Sequence, residues 1–157
     1  MSTTHPRIDW VNFKEIAPAA NAAIMALGKA IEESGLDKTL LELIKIRASQ
    51  INGCAFCAQL HLNVARKLDI QQEKLDLVVV WRDAGIFSDR ERAALAWTEI
   101  LTDVARRGVS DETYAALLEQ FSETELAYLT TAVGHINIWN RIAVAFRFSP
   151  PIPQREG

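Results

Sequence analysis

The stretch NGCAFCAQLH, residues 52–61, contains both cysteines of this chain and one of its three histidines. On a helical wheel with Cys54 at zero, Cys57 lies about 60° to one side and His61 about 20° to the same side. Polar side chains occupy the opposite face, so this stripe is predicted to point into the protein interior. The stripe continues with Ala58, Ala65 and Leu68.

The position of the cysteines at a helix start favours reactivity. Gly53 ends one predicted helix and Cys54 begins the next, where free backbone N–H groups and the helix dipole stabilise a thiolate. His61 follows Cys57 by four residues, so its imidazole can touch the thiol and exchange a proton with it. We interpret the pair as a redox centre in which peroxide forms a sulfenic acid that condenses to a disulfide. These residues alone leave open which sulfur attacks.

Other interpretations of this motif were weighed against redox chemistry. A zinc site needs four ligands, or three and a water, whereas only three lie on the stripe and the chain has no second cysteine pair. Haem attachment requires C-x-x-C-H, and Ala58 occupies the histidine position. Two inert buried thiols remain an alternative, because free cysteine is among the most buried residue types. We expect no metal and no cofactor.

The composition indicates one packed domain around this motif. Of the 157 residues, 49% are apolar and 24% charged. The formal charge of -3 offers no basic field, so we expect neither nucleic acid nor a membrane as partner. The first residues do not resemble a secretory signal, and no apolar segment reaches the ~18 residues of a membrane span. We expect a cytoplasmic protein.

Hydrophobic periodicity predicts an all-α bundle of six to seven helices and no strands. Two capping boxes, Ser88 with Glu91 and Ser122 with Glu125, mark helix starts. The predicted helices run from about Glu15 to Glu33, from Asp37 through residues 39–51, from Cys54 to about Leu68, through residues 73–84, from Ser88 to about Arg106, briefly from Ser110, and from Ser122 to about Phe146.

The chain is predicted to consist of an irregular arm at residues 1–14, a helical domain at residues 15–147 and a tail at residues 148–157. The prolines of the tail prevent further helix. Trp10 and Phe13 in the arm are expected to pack on this subunit or on a neighbouring one, because leaving them in water forgoes roughly 2 kcal/mol each.

Four residues across two helices carry a resemblance to a known family. Glu42, Cys54, Cys57 and His61 reproduce the signature E-x11-C-x2-C-x3-H. This pattern is similar to that of the AhpD-like alkylhydroperoxidases, within the carboxymuconolactone decarboxylase superfamily. The resemblance is sharpest from Leu40 to Leu68.

The resemblance implies a subunit that assembles into trimers or hexamers and reduces a small organic hydroperoxide. It implies that Cys57 attacks the peroxide, that Cys54 resolves the sulfenic acid, and that Glu42 and His61 move protons. An external dithiol or protein reductant would complete the cycle. Taken alone, Glu42 would be interpreted as a solvated carboxylate paired with Lys45.

Two further hypotheses about function use the same features. In the first, the cysteine pair is a redox switch or protein-binding module without turnover; in the second, the protein is a lactone decarboxylase that does not need the cysteines. Residues near the end of the chain are interpreted as structural: Trp139, Asn140 and Arg141 as packing residues, with Arg141 pairing an acid across an interface. His135 is interpreted as a core or interface histidine, with an approach to the cysteine pocket as the alternative.

Overall fold

The fold is described from a computed structural model, which describes residues 5–154. Within that range the chain forms nine α-helices, one 3-10 turn and no strand. The all-α prediction is therefore confirmed. The elements are α1 (Trp10–Ile16), α2 (Pro18–Glu32), α3 (Lys38–Ile51), α4 (Ala55–Lys67), α5 (Gln72–Leu77), the 3-10 turn Val78–Val80, α6 (Asp89–Thr102), α7 (Val104–Arg107), α8 (Asp111–Leu118) and α9 (Glu123–Phe146).

Helix starts follow the capping residues that the sequence predicts. Both predicted capping boxes form, with the Ser88 and Ser122 hydroxyls accepting backbone N–H groups and the glutamates three residues later bonding back. The Asp37 carboxylate accepts the Leu40 N–H at 2.8 Å and begins α3. These bonds satisfy backbone donors that have no partner inside the helix.

The prediction for the N-terminal region was wrong in two respects. Residues 10–16 form helix α1 rather than an irregular arm, and the predicted first helix is divided at Ala17. Ala17 has φ -129° and ψ 54°, outside the helical region, because it precedes Pro18 and the proline ring disfavours helical geometry there. Residues 1–4 of the predicted arm and residues 155–157 of the tail lie outside the described residues.

Two predicted helices are also shorter than expected. The helix through residues 73–84 ends at Leu77 and gives way to a 3-10 turn at three consecutive valines, whose β-branched side chains are poor helix formers. The Arg92 guanidinium donates to the carbonyls of Trp81 and Arg82 beyond it, which satisfies them outside a helix. The helix predicted to reach Arg106 ends at Thr102, and a separate turn, α7, follows.

Helix α3 lies at the centre of the molecule. It packs against α4, α6 and α9, and residues 40–46 are all buried. A cluster of buried apolar residues surrounds the cysteines where α4 and α9 meet α3, and Trp10 and Phe13 of α1 pack into it. The two aromatics thus pack on their own subunit. The residues of this cysteine-containing cluster that are fully buried are Phe13, Ala48, Cys54, Cys57, Ile136, Ala143 and Phe148.

No helix in the described part of the chain combines the length and apolar character that crossing a membrane requires. The domain boundaries at residues 15 and 147 and the assembly into trimers or hexamers stay predictions.

Candidate active site

The two cysteines occupy the start of α4, as the sequence predicts. Cys54 is the N-cap residue, and its sulfur accepts the backbone N–H of Cys57 at 3.3 Å. Both thiols are free and buried, each 2% exposed. The inward stripe is confirmed as far as Ala65, whereas Leu68 is 40% exposed and lies outside it, because α4 ends at Lys67.

The surroundings of the two thiols shift their pKa values in opposite directions. A hydrogen bond from the Cys57 thiol is the main cause that lowers the pKa of Cys54 to about 7, against the opposing effect of burial. The same bond to a Cys54 thiolate, with burial, raises the pKa of Cys57 above its ordinary value. Removing one proton from the pair therefore leaves the negative charge on Cys54 and the remaining proton on Cys57.

Glu42 joins the cysteine helix to α3. One carboxylate oxygen accepts the Lys45 ammonium at 2.8 Å, and the other accepts the Nδ1–H of His61, also at 2.8 Å. The pairing with Lys45 is confirmed, but the interpretation of Glu42 as solvated was wrong, since the residue is only 5% exposed. The helical packing of α3 on α4, which sequence periodicity does not encode, buries the carboxylate.

The charge on Glu42 fixes the proton on His61. Burial raises the pKa of Glu42, but the hydrogen bond and charge of His61 together with those of Lys45 outweigh it, and the pKa is lowered overall. An ionised carboxylate can only accept hydrogen bonds, so in its neutral form the His61 ring carries its proton on Nδ1. Its Nε2 is then an acceptor, available to a thiol proton.

Cys57 and His61 line a cavity of about 320 Å³, which is large enough for a small organic molecule. Cys54 lies outside that cavity and instead lines a separate groove of about 260 Å³ beside the end of α9. The two sulfurs therefore face different spaces. The other residues around the cavity are largely apolar or aromatic, with a few charged ones: Trp10, Met25, Gly28, Lys29, Glu32, Lys45, Phe56, Leu60, His135 and Trp139.

Asn140 is a site residue that the sequence interpretation assigned only to packing. Its side chain is fully buried, donates to the Ser49 hydroxyl at 3.0 Å and accepts from the Asn52 amide at 2.9 Å. A further hydrogen bond from this amide lowers the pKa of both thiols. A polar amide within the apolar segment INIWNRIAVAF is the signal in the sequence that points to such a role.

His135 is half-buried and lines the same cavity as Cys57 and His61, which agrees with the alternative interpretation that it approaches the cysteine pocket. Its Nε2 bonds the Ile24 carbonyl at 3.0 Å. Arg141 bonds the Asn137 carbonyl and side chain rather than an acid within the described chain, so its pairing across an interface stays a prediction.

The sequence of the chain matches one known protein family. The model of the carboxymuconolactone decarboxylase family matches residues 18–99, slightly more than half of the chain. This segment contains Glu42, both cysteines and His61.

The proteins similar to this chain include two curated proteins and one solved structure. The uncharacterised protein YdfG of Bacillus subtilis is 36% identical over 86% of this chain and 92% of its own. The uncharacterised protein YnjA of Escherichia coli is 32% identical over 68% of this chain and 58% of its own. A crystal structure from Agrobacterium tumefaciens, of a protein of unknown function described as a candidate antioxidant defence protein AhpD, has a TM-score of 0.89. It is 39% identical and covers 95% of this chain and 100% of its own.

Proposed function

Because this chain belongs to the carboxymuconolactone decarboxylase family and is AhpD-like, we propose that it reduces organic hydroperoxides through a Cys54–Cys57 redox cycle. One observation carries the proposal: a cysteine and a histidine line the same cavity, and a buried carboxylate holds the proton of that histidine on Nδ1. This arrangement supplies a nucleophile and a base in contact with a space that a substrate can fill.

In the proposed first step Cys57 attacks, because it lines the cavity and Cys54 does not. The Cys57 proton moves to Nε2 of His61, and the sulfur forms a bond to the terminal oxygen of the hydroperoxide R–O–OH. The O–O bond breaks, and the departing alkoxide takes the proton from His61 to become the alcohol. Cys57 is then a sulfenic acid.

In the second step Cys54 resolves the sulfenic acid. In the reduced pair its pKa of about 7 already makes a substantial fraction of Cys54 thiolate at neutral pH, before the peroxide reacts. The Cys54 sulfur bonds to the Cys57 sulfur, the S–O bond breaks, and the hydroxide leaves as water with a proton from the solvent, because His61 has already given its proton to the alkoxide. An external dithiol, small or carried by a protein, then reduces the disulfide and returns both thiols.

Stopped-flow mixing of the reduced protein with cumene hydroperoxide tests this assignment. We expect loss of two thiols and formation of one alcohol per chain. Cys54→Ser should still consume one equivalent and should trap dimedone on Cys57, whereas Cys57→Ser should leave the peroxide intact. Unchanged thiols in the wild type would overturn the function, and a dimedone adduct on Cys54 in Cys57→Ser would reverse the roles of the two sulfurs.

The same preparation separates this proposal from its alternatives. A redox switch would oxidise once but would not turn over with excess peroxide and dithiothreitol, whereas a peroxidase turns over repeatedly. A lactone decarboxylase would retain its activity after both cysteines are changed to serine. Sustained peroxide consumption that requires both cysteines supports the peroxidase alone.

A further inference from the structure

A second histidine, which the proposed reaction does not use, reaches the same cavity from a different helix. His135 belongs to α9, whereas Cys57 and His61 belong to α4. All three line one cavity. The Trp139 ring packs edge-on against the imidazole at a centroid distance of 6.5 Å, which restricts its tilt.

The hydrogen bonding of His135 determines which of its nitrogens can accept. Nε2 lies 3.0 Å from the Ile24 carbonyl, and a carbonyl can only accept, so Nε2 carries the proton. Nδ1 of the neutral ring is then an acceptor. This nitrogen bonds to no residue in the range 5–154 and is not fully enclosed, so its lone pair is open to a ligand.

The protein makes room for the ring at this position. A Cβ atom added to Gly28 of α2 would lie 3.0 Å from Cε1 of His135 and 3.2 Å from Nε2. These distances are shorter than ordinary carbon contacts, so a glycine at this position lets α2 approach the imidazole closely. The ring is held by Ile24 on one edge and packed closely against the α2 backbone.

Burial, supported by nearby positive charges, lowers the pKa of His135 and favours its neutral form. Burial is the largest cause that lowers its pKa, and the charges of Lys45 and His61 act in the same direction, whereas the Ile24 carbonyl and the charge of Glu32 oppose them. Among the other polar residues of the cavity, Lys29 and Lys45 can only donate, and Glu32 is exposed. Nε2 of His61 is the other acceptor that the cavity offers, but in the proposed reaction it takes the Cys57 proton. The acceptor that remains for a buried ligand hydroxyl is therefore His135.

We propose that Nδ1 of His135 accepts the hydrogen bond of the terminal O–H of the bound hydroperoxide. This inference rests on the proposed function and adds a substrate-binding residue to it. The terminal oxygen is the atom that Cys57 attacks, so the bond orients the reacting O–O group. A compound with the same carbon skeleton but no O–H group gains nothing from His135.

Binding to a protein that cannot react provides the test. In the Cys54→Ser/Cys57→Ser double variant, the affinity for cumene hydroperoxide is measured by calorimetry and compared with that for cumene, which lacks the O–OH group. His135→Asn keeps an acceptor oxygen at the position of Nδ1, whereas His135→Gln keeps a donor near Nε2 for Ile24. Thermal unfolding of each variant checks that it is folded.

We expect His135→Gln and His135→Phe to bind cumene hydroperoxide about five- to tenfold more weakly, the size of one lost hydrogen bond. His135→Asn should lose about twofold at most, and cumene affinity should be the same in all variants. Rescue by Gln rather than Asn would overturn the proposal and leave His135 as an anchor for α2. Equal losses for both ligands would likewise reduce His135 to a packing residue.

A failure of the His135 role can be distinguished from a failure of the proposed function. If the wild type fails to turn over hydroperoxide but the Asn and Gln variants still differ in binding, the peroxidase proposal fails and the hydroxyl-binding role of His135 stands. If turnover occurs and Asn and Gln bind alike, only the role of His135 fails.

Discussion

Cys54 and Cys57 share one proton near neutral pH, because a thiolate on Cys54 accepts both the Cys57 thiol and the Cys57 backbone N–H. The negative charge is thus stored on the sulfur that faces away from the cavity. The sulfur in the cavity keeps a proton until His61 takes it. These two states suit the proposed cycle, in which the Cys57 thiol reacts with the substrate and the Cys54 thiolate then forms the disulfide.

Alkylation of the thiols should show this division as a function of pH. We expect the rate at Cys54 to rise with a midpoint at about pH 7, and the rate at Cys57 to rise only above the ordinary thiol range. Iodoacetamide labelling followed by mass spectrometry of each cysteine measures both rates. Two equal midpoints near pH 9 would contradict the shared proton.

The same shifts set a pH dependence of stability. The pKa of Cys54 is lower in the folded protein than the ordinary value of 9.0, so the unfolded chain binds more protons between about pH 7 and pH 9. Stability therefore rises with pH in that window. Above it the sign reverses, because unfolded Cys57 ionises while folded Cys57, with its raised pKa, stays protonated.

Asn140 should contribute to the low pKa of Cys54, in addition to the larger effect of Cys57. Asn140→Leu removes an amide donor from the thiols and takes one hydrogen bond each from Ser49 and Asn52. Ser49 still donates to the Lys45 carbonyl, and Asn52 still donates to Asn137. We expect alkylation of Cys54 at pH 7 to slow about threefold and the midpoint to rise. The unfolding free energy should fall by about 1–3 kcal/mol.

Asn137→Leu is the matched control for Asn140. Asn137 accepts from the same Asn52 amide but does not contribute to the pKa of either thiol. It should lower stability while leaving the alkylation midpoint unchanged. A shift of the midpoint in both variants would mean that general loosening, rather than the Asn140 amide, controls Cys54.

At the scale of helices, local signals predicted the fold well. Four helices begin where predicted, because each N-cap side chain accepts a backbone N–H from the residue three positions later. These N-cap residues are Asp37, Ser88, Ser110 and Ser122. The break between α1 and α2 at Ala17 is also a local effect, because Pro18 disfavours helical geometry at the residue before it. The prediction of one continuous helix did not take this proline into account. The valines at which α5 ends are also a local signal, whereas the irregular backbone after them is held by Arg92 of α6, which no local pattern indicates.

The site was predictable to the extent that it follows spacing along one helix. Cys54, Cys57 and His61 share one face of α4 because of helix geometry, and family resemblance added Glu42 from α3. Asn140 was not predicted at the site, and the approach of His135 stayed an alternative, because both lie on α9, whose approach to α4 is decided by packing of the whole bundle.

The turn between α3 and α4 sets the position of the Cys54 cap. Gly53 has φ +65°, a left-handed conformation that costs an L-residue about 1–2 kcal/mol. Gly53→Ala should therefore destabilise the protein by about that amount and should raise the alkylation midpoint of Cys54 as the cap shifts. Denaturant unfolding and the labelling experiment measure the two effects.

Gly85→Ala serves as the control for that change. Gly85 is exposed, has no left-handed φ and has open space where a Cβ would lie. Its replacement should change stability by no more than about 0.5 kcal/mol and leave the thiols unaffected. Equal stability of the two alanine variants would show that the Gly53 conformation does not constrain the start of α4.

At the scale of the whole molecule, the N-terminal helix closes the aromatic wall of the cavity. Trp10 of α1 contacts Phe56, Trp139 and Phe148, with ring centroids 5.2–5.8 Å apart, and so connects the first helix to α4 and to the end of α9. The backbone N–H of Arg7 reinforces this contact by donating to the Phe146 carbonyl at 2.9 Å. Residues from opposite ends of the chain therefore enclose the site.

Trp10→Ala should open this wall. Because Trp10 is only partly buried, we expect a stability loss of about 2 kcal/mol, below the ~3–5 of a fully buried tryptophan. The KM for cumene hydroperoxide should rise about five- to tenfold through the lost apolar contact, whereas kcat/KM for hydrogen peroxide, which has no apolar part, should stay unchanged.

Trp97→Phe removes a hydrogen bond to Thr130 in a different core cluster, so it should lower stability without changing either kinetic constant. Equal changes in kcat/KM for both peroxides in Trp10→Ala would contradict a contact between Trp10 and the carbon skeleton of the substrate, and would instead indicate that α1 supports the catalytic residues themselves.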